Sequence, residues 1–277
     1  MDQEKQVSRQ ARLFGGSVPW DEIHVELEAL TKPTLSLEAM EELIQEVELT
    51  SDKVILDVGA YGGSHAIELA SKYGCRAIAL DLVLPGLVAA REEITARNVE
   101  RLVSRVQGDA HALPLRASTV DLIWSRDMLS CVEPRMFLRE CGRVLKAGGF
   151  LALHAVYMTE MMGHEERGRF AAALALSDGC DRKLVENAIS ETGFRIINLT
   201  EVGSGSREHE LATGNQRLLE DLLAIMRLRR GTADLIARFG SEWYETILAS
   251  HEWMVFMALG KLHDAVYLLR LERADSL

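Results

Sequence analysis

Val54-Ile55-Leu56-Asp57-Val58-Gly59-Ala60-Tyr61-Gly62-Gly63-Ser64 is an apolar run that breaks into a glycine-rich turn and continues as helical pattern from His65 to Tyr73. A strand that ends in such a turn presents unpaired backbone N–H groups and a helix N-terminus, a natural seat for an anionic or polar ligand. Two familiar versions of this seat are excluded by spacing. The dinucleotide fingerprint G-x-G-x-x-G does not match Gly59-Ala60-Tyr61-Gly62-Gly63, and no lysine follows to complete a phosphate-binding P-loop.

Outward from this turn, strands and helices alternate. Val54–Val58 is followed by a helix over 64–73, a strand over 77–81 by a helix over 85–98, and a strand over 103–107 by a loop to Ala117. A fourth strand over 120–125 precedes a helix over 134–145, and a fifth covers 150–155. Such alternation predicts a doubly wound α/β protein with a mainly parallel sheet, right-handed crossovers and a ligand at the carboxyl ends of the strands. Upstream, Ser36 reads as an N-cap of a helix burying Leu37, Met40, Ile44 and Val47, and residues 1–33 read as a loosely helical lid segment.

Past residue 156 the pattern changes. Met158, Met161, Met162 and the run Ala171–Leu176 read as a helical insertion, followed by a helix over 181–192 and a sixth strand over 193–199. Two amphipathic helices come next: 214–230, with Leu218, Leu222, Ile225 and Met226 inward, and 241–259, with Trp243, Ile247, Met254 and Ala258 inward. A seventh strand over 265–271 completes one domain. Its core spans 35–155, helical caps cover 156–192 and 207–259, and the C-terminal strand segment is 260–277.

The chain has 277 residues and is 48% hydrophobic and 26% charged, a globular composition large enough for a substantial core. Its formal charge of −11 excludes a broad phosphate-binding face. The cluster Arg227, Arg229 and Arg230 reads as cations at a helix C-terminus before Gly231. Four dispersed cysteines without a C-x-x-C pair argue against a disulfide framework or zinc site and for the cytoplasm. The N-terminal stretch lacks the apolar core of a signal peptide, and no apolar window reaches bilayer length.

Four further marks follow the glycine turn. Asp81 ends the second strand, where a carboxylate can accept from two ribose hydroxyls. Asp109-Ala110 follows the third and offers a side-chain acceptor and a backbone N–H. Asp121-Leu122-Ile123-Trp124-Ser125-Arg126-Asp127 carries the fourth strand and its exit, and Arg143-Val144-Leu145-Lys146-Ala147-Gly148-Gly149 turns into the fifth.

In this order and spacing the marks resemble the class I S-adenosylmethionine-dependent methyltransferases, strongly over 35–155 and more loosely beyond. The resemblance implies a Rossmann-like seven-stranded sheet with the last strand antiparallel, and S-adenosyl-L-methionine as cofactor, released as S-adenosyl-L-homocysteine. It implies a cofactor site of Asp57, Gly59, Tyr61, Gly63, Asp81, Leu82, Asp109, Ala110 and Ser125, with the glycines at the amino-acid end, Asp81 at the ribose and Asp109-Ala110 at the adenine. The family's G-x-G-x-G carries Tyr61 where its middle glycine stands, so the turn must bend differently or Tyr61 must take a backbone conformation favoured by glycine.

Ser125-Arg126-Asp127-Met128-Leu129-Ser130-Cys131 is similar to the S-R-D-x-x-L-H segment of glycine-betaine and phosphoethanolamine methylators, with Cys131 in place of the histidine. The resemblance thus implies methyl transfer to a small molecule, leaving the O, N or C nucleophile open. Such a transfer is an in-line displacement in which positioning dominates. His154 and Asp127 are the candidate catalytic groups, with Cys131 and Tyr157 as substrate contacts. His65 and His111 read as neighbours of the site, and Met158–Met162 as core or lid packing. The competing readings are a cofactor-retaining fold that catalyses a rearrangement or cyclisation, and a non-catalytic binding module. No metal, nucleic acid or membrane partner is expected, and homo-oligomerisation stays open.

Overall fold

The computed structural model describes residues 36–272; the expected lid over 1–33 lies outside them. The described residues belong to one compact unit. It is built on one seven-stranded sheet of order β3-β2-β1-β4-β5-β7-β6. Its first five strands are β1 (Val54–Val58), β2 (Arg76–Asp81), β3 (Val103–Gln107), β4 (Val120–Ser125) and β5 (Leu145–Met158). They pair in parallel, whereas β7 (Leu262–Leu271) runs antiparallel between β5 and β6 (Phe194–Glu201). Every residue of β1 is buried, as expected of a strand with both faces covered.

Helix α1 (Ser36–Ile44) packs Met40, Leu43 and Ile44 on one face of the sheet, together with Leu122, Trp124 and Leu268. The turn after β1 leads into α2 (Ser64–Tyr73), and β2 leads into α3 (Leu84–Ala96). Helix α4 (Pro134–Val144) follows β4, with the Glu133 carboxylate accepting the Arg135 and Met136 N–H groups at its start. The opposite face is filled by Phe137, Leu138, Cys141 and Val144 of α4, together with Leu151, Leu153, Tyr157 and Tyr267. These residues meet α6 (Arg182–Glu191), capped in turn by Asp181.

The cap region holds α5 (His164–Ala173), α7 (Gly205–Ala212), α8 (Arg217–Arg230), α9 (Thr232–Phe239) and α10 (Ser241–Ala258). Three expectations are corrected here. Strand β5 runs to Met158 rather than stopping at Ala155, because β7 starts at Leu262 and pairs with it down to Met158↔Leu262. Helices α7 and α9 were not anticipated. In α8 the buried side chains are Leu218, Asp221, Ile225 and Leu228, leaving Leu222 and Met226 exposed. In α10 they are Tyr244, Leu248, Ala249, Glu252, Phe256 and Met257, with Trp243 exposed. The inward faces rotate because α8 and α10 bury acids: Asp221 meets His251, and Glu252 meets Arg169 and Arg229. Arg227, Arg229 and Arg230 do stand in the last turn of α8 before Gly231.

Candidate active site

The carboxyl ends of β1, β2 and β4 converge on the glycine turn. Gly59 and Gly63 have φ of +81° and +70°, and Tyr61 also turns left-handed at +43°. The non-glycine residue therefore keeps the bend a glycine would make and accepts its conformational cost. Asp81 holds the turn in place: Oδ2 accepts the Tyr61 N–H at 2.6 Å and Oδ1 the Val83 N–H at 2.8 Å. The Tyr61 and Leu82 side chains stand exposed on the rim. A Cβ on Gly59 would lie 2.8 Å from Cγ of Met128, so glycine there lets the β4 exit loop approach the turn.

Asp57 is buried behind this turn and accepts the Ala66 N–H at 3.2 Å. Burial pushes its carboxyl up to about 7, the Asp81 charge adding to the rise against that hydrogen bond. Ser125, paired with Val58 at the end of β4, is fully buried with its hydroxyl unpartnered. An orphan hydroxyl at that depth marks a place where a ligand's polar end would be accepted.

Beyond β3, Oδ1 of Asp109 accepts the His111 backbone N–H at 2.8 Å and lies 2.9 Å from its Nδ1. Because His111 Nε2 accepts the Glu133 N–H at 3.0 Å, the ring proton sits on Nδ1 and points to Asp109. These contacts lower the Asp109 carboxyl, led by the backbone hydrogen bond. Ala110 is buried beneath them, and His65 packs on Trp124 with ring centroids 5.5 Å apart.

Next to the turn, a cavity of about 480 Å³ opens over the ends of β4 and β5. Arg126, Asp127, Ser130 and His154 form its floor with Asp264 of β7, while Arg207, Arg217, Trp253 and Met257 come from the cap helices. At its centre His154, buried on β5, lies between two carboxylates: Nδ1 is 2.8 Å from Oδ1 of Asp127, and Nε2 is 3.1 Å from Oδ2 of Asp264. The Nε2–Asp264 contact is a hydrogen bond, whereas Nδ1 faces Asp127 at ion-pair distance without hydrogen-bond geometry. Burial works against the cation, but the two carboxylates outweigh it and raise His154 to about 9. Desolvation raises the Asp127 carboxyl, and His154, with Arg126 and His65, brings it down to about 2.

Of the four side chains expected at the reacting centre, Asp127 and His154 line the cavity and Cys131 and Tyr157 do not. His154 lies at the cavity between Asp127 and Asp264, and the two carboxylates favour its protonated form. Tyr157 does not line the cavity: three residues from His154, it points to the other face of the sheet and donates its hydroxyl hydrogen to Tyr267 at 3.0 Å. Cys131 is exposed on a 3₁₀ turn, where successive side chains diverge, and its neighbour Ser130 faces the cavity instead. Asp264 was missed, although an acid within the apolar strand Leu262–Leu271 was its signal. Arg207 and Arg217 carried no such signal, since charged residues recur throughout the cap.

The sheet order, the strand-end cofactor seat and the adjoining cavity define a protein of the class I methyltransferase fold. Residues 56–153 match the family described as "Methyltransferase domain". A sarcosine/dimethylglycine N-methyltransferase of Halorhodospira halochloris is 38% identical over 104 residues, which are 37% of this chain and 37% of that relative. The (+)-O-methylkolavelool synthase of Herpetosiphon aurantiacus is 23% identical over 70% of this chain and 69% of its own. Among solved structures, one described as a sarcosine dimethylglycine methyltransferase from Galdieria sulphuraria superposes with a TM-score of 0.63 at 21% identity, covering 86% of each chain. The [4+2]-cyclase SpnF superposes with a TM-score of 0.62 at 20% identity over 85% of this chain and 80% of that one. Identities this low show a shared fold.

Proposed function

We propose that the protein is an S-adenosylmethionine-dependent methyltransferase that methylates a small molecule in the cavity over β4 and β5, with an amine nitrogen as the favoured nucleophile. The observation that carries the amine assignment is the row Asp127–His154–Asp264, which presents an ionised carboxylate and no strong base.

The residues at the strand ends fit the cofactor. Asp81 keeps lone pairs for the ribose hydroxyls beside its two backbone partners, and Asp109 and Ala110 would take the adenine. The buried Ser125 hydroxyl and the Gly59–Gly63 turn suit the amino-acid end, with Asp57 behind them. When bound, S-adenosylmethionine supplies a methyl group already activated on a cationic sulfur. The cap residues of 156–192 and 207–259 would exclude water and hold the nucleophile in line.

An amine that arrives unprotonated needs no base, and it becomes positive as it takes the methyl group. The Asp127 carboxylate would stabilise that developing charge. His154, hydrogen-bonded to Asp264, would give that carboxylate an electrostatic partner 2.8 Å away. A hydroxyl nucleophile would instead have to lose a proton, and a carboxylate lowered to about 2 accepts one poorly. The reading includes a cytoplasmic setting and no nucleic-acid partner; no helix among the described residues is long and apolar enough to cross a membrane.

Isothermal titration with S-adenosylhomocysteine tests the cofactor assignment. Binding in the micromolar range is expected, weakened at least tenfold by Asp81→Ala. Absence of heat with the wild-type protein would overturn the reading.

A further inference from the structure

Helix α8 has two apolar faces. One packs Ile225 and Leu228 against Tyr244 and Leu248 of α10. The other consists of Leu219, Leu222, Leu223 and Met226, which are 52%, 39%, 47% and 60% exposed. Their spacing of three, four and seven residues draws one continuous stripe along the helix. Scattered exposed leucines are ordinary, but four in a row on one helix face mark a contact surface.

We propose that this stripe is the interface of a two-fold symmetric dimer, in which α8 packs antiparallel against α8 of a second copy. The charges at its edge select that occupant. Glu220 and Arg227 are both exposed and stand on the same flank of the stripe, one near each end. Neither has an ionic partner among the described residues. A two-fold axis through the midpoint between Leu222 and Leu223 sets Leu219 opposite Met226 and Leu222 opposite Leu223. It also brings the Glu220 flank of one helix onto the Arg227 flank of the other, since antiparallel helices related by a two-fold axis meet on like flanks.

Along the axis, Glu220 and Arg227 of opposing copies are then offset by two residues, about 3 Å at 1.5 Å per residue, which an arginine side chain spans. The pair forms twice by symmetry. A parallel two-fold arrangement would instead put the Glu220–Arg227 flanks of the two copies on opposite sides of the interface, where this pair could not form. At the C-terminal end, Arg230 falls opposite the neutral Asn215 of the other copy, so the register contains no like-charge pair along the stripe. Four side chains per copy make a small interface, and reversible association in the micromolar range follows.

Sedimentation velocity across roughly 1 to 300 μM tests this. The expected result is a monomer–dimer equilibrium that Leu223→Glu weakens at least tenfold, with circular dichroism and thermal midpoint showing the variant folded. Arg227→Glu is expected to weaken it several-fold and Glu220→Arg/Arg227→Glu to restore it, because the double reversal recreates the pair. A monomer over the whole range would overturn the proposal. So would a dimer that survives Leu223→Glu, or a double reversal no tighter than Arg227→Glu.

Discussion

At the residue scale the decisive feature is the ionisation of His154. An imidazole of ordinary pKa 6.5 that is raised to about 9 in the folded protein contributes stability that is complete below about pH 6.5 and is lost as pH rises through about 9. Asp127 has the opposite sign: lowered from 3.8 to about 2, it contributes above about pH 3.8 and loses that contribution as pH falls through about 2. The ring resonances of His154 in an NMR titration should therefore move near pH 9, and in Asp264→Asn the midpoint should fall toward 6.5. A wild-type midpoint below 7 would contradict the paired-carboxylate geometry. Gly59 supplies a second test. At φ +81° and with Met128 Cγ 2.8 Å from a built Cβ, Gly59→Ala should cost about 1–3 kcal/mol in chemical denaturation. Met128→Ala in the same chain should recover only the steric part, since the backbone cost stays.

At the scale of elements, caps and buried ion pairs determine how firmly the site's frame is held. The Asp181 carboxylate accepts the Lys183 and Leu184 N–H groups at the start of α6, and Asp181→Ala should lower stability by about 1 kcal/mol in urea. Glu252 of α10 is almost fully buried and holds Arg169 of α5 and Arg229 of α8 together. Its removal should cost about 2 kcal/mol, less than the roughly 3–5 for breaking a wholly buried pair, because both arginines reach solvent once released. These same elements show where the sequence was readable. Strands β1 and β4 match their expected bounds because a buried parallel strand is an apolar run between turn residues, and the mostly exposed edge strand β3 matches its bounds as well. The faces of α8 and α10 were not readable, because each helix buries an acid among its apolar residues and exposes leucine or tryptophan elsewhere. The cofactor turn was legible down to Tyr61, whose left-handed backbone was one of two expected outcomes. Asp264 was not, since pairing across β5 and β7, 110 residues apart, brings it to His154.

At the scale of the whole molecule, the sheet brings the proposed cofactor seat at β1, β2 and β3 next to the cavity at β4, β5 and β7 proposed for the nucleophile. Under the proposed function the helices over the cavity set the substrate preference, with Arg207 and Arg217 lining it from there. The direct test of the whole is transfer of isotopically labelled methyl from S-adenosylmethionine to a panel of small secondary and tertiary amines, hydroxyl compounds and carbon nucleophiles, followed by mass spectrometry. Labelled N-methyl product should appear in step with S-adenosylhomocysteine, and Asp127→Asn should lower the rate by at least tenfold. Labelled product confined to hydroxyl or carbon acceptors, or turnover without any S-adenosylhomocysteine, would contradict it.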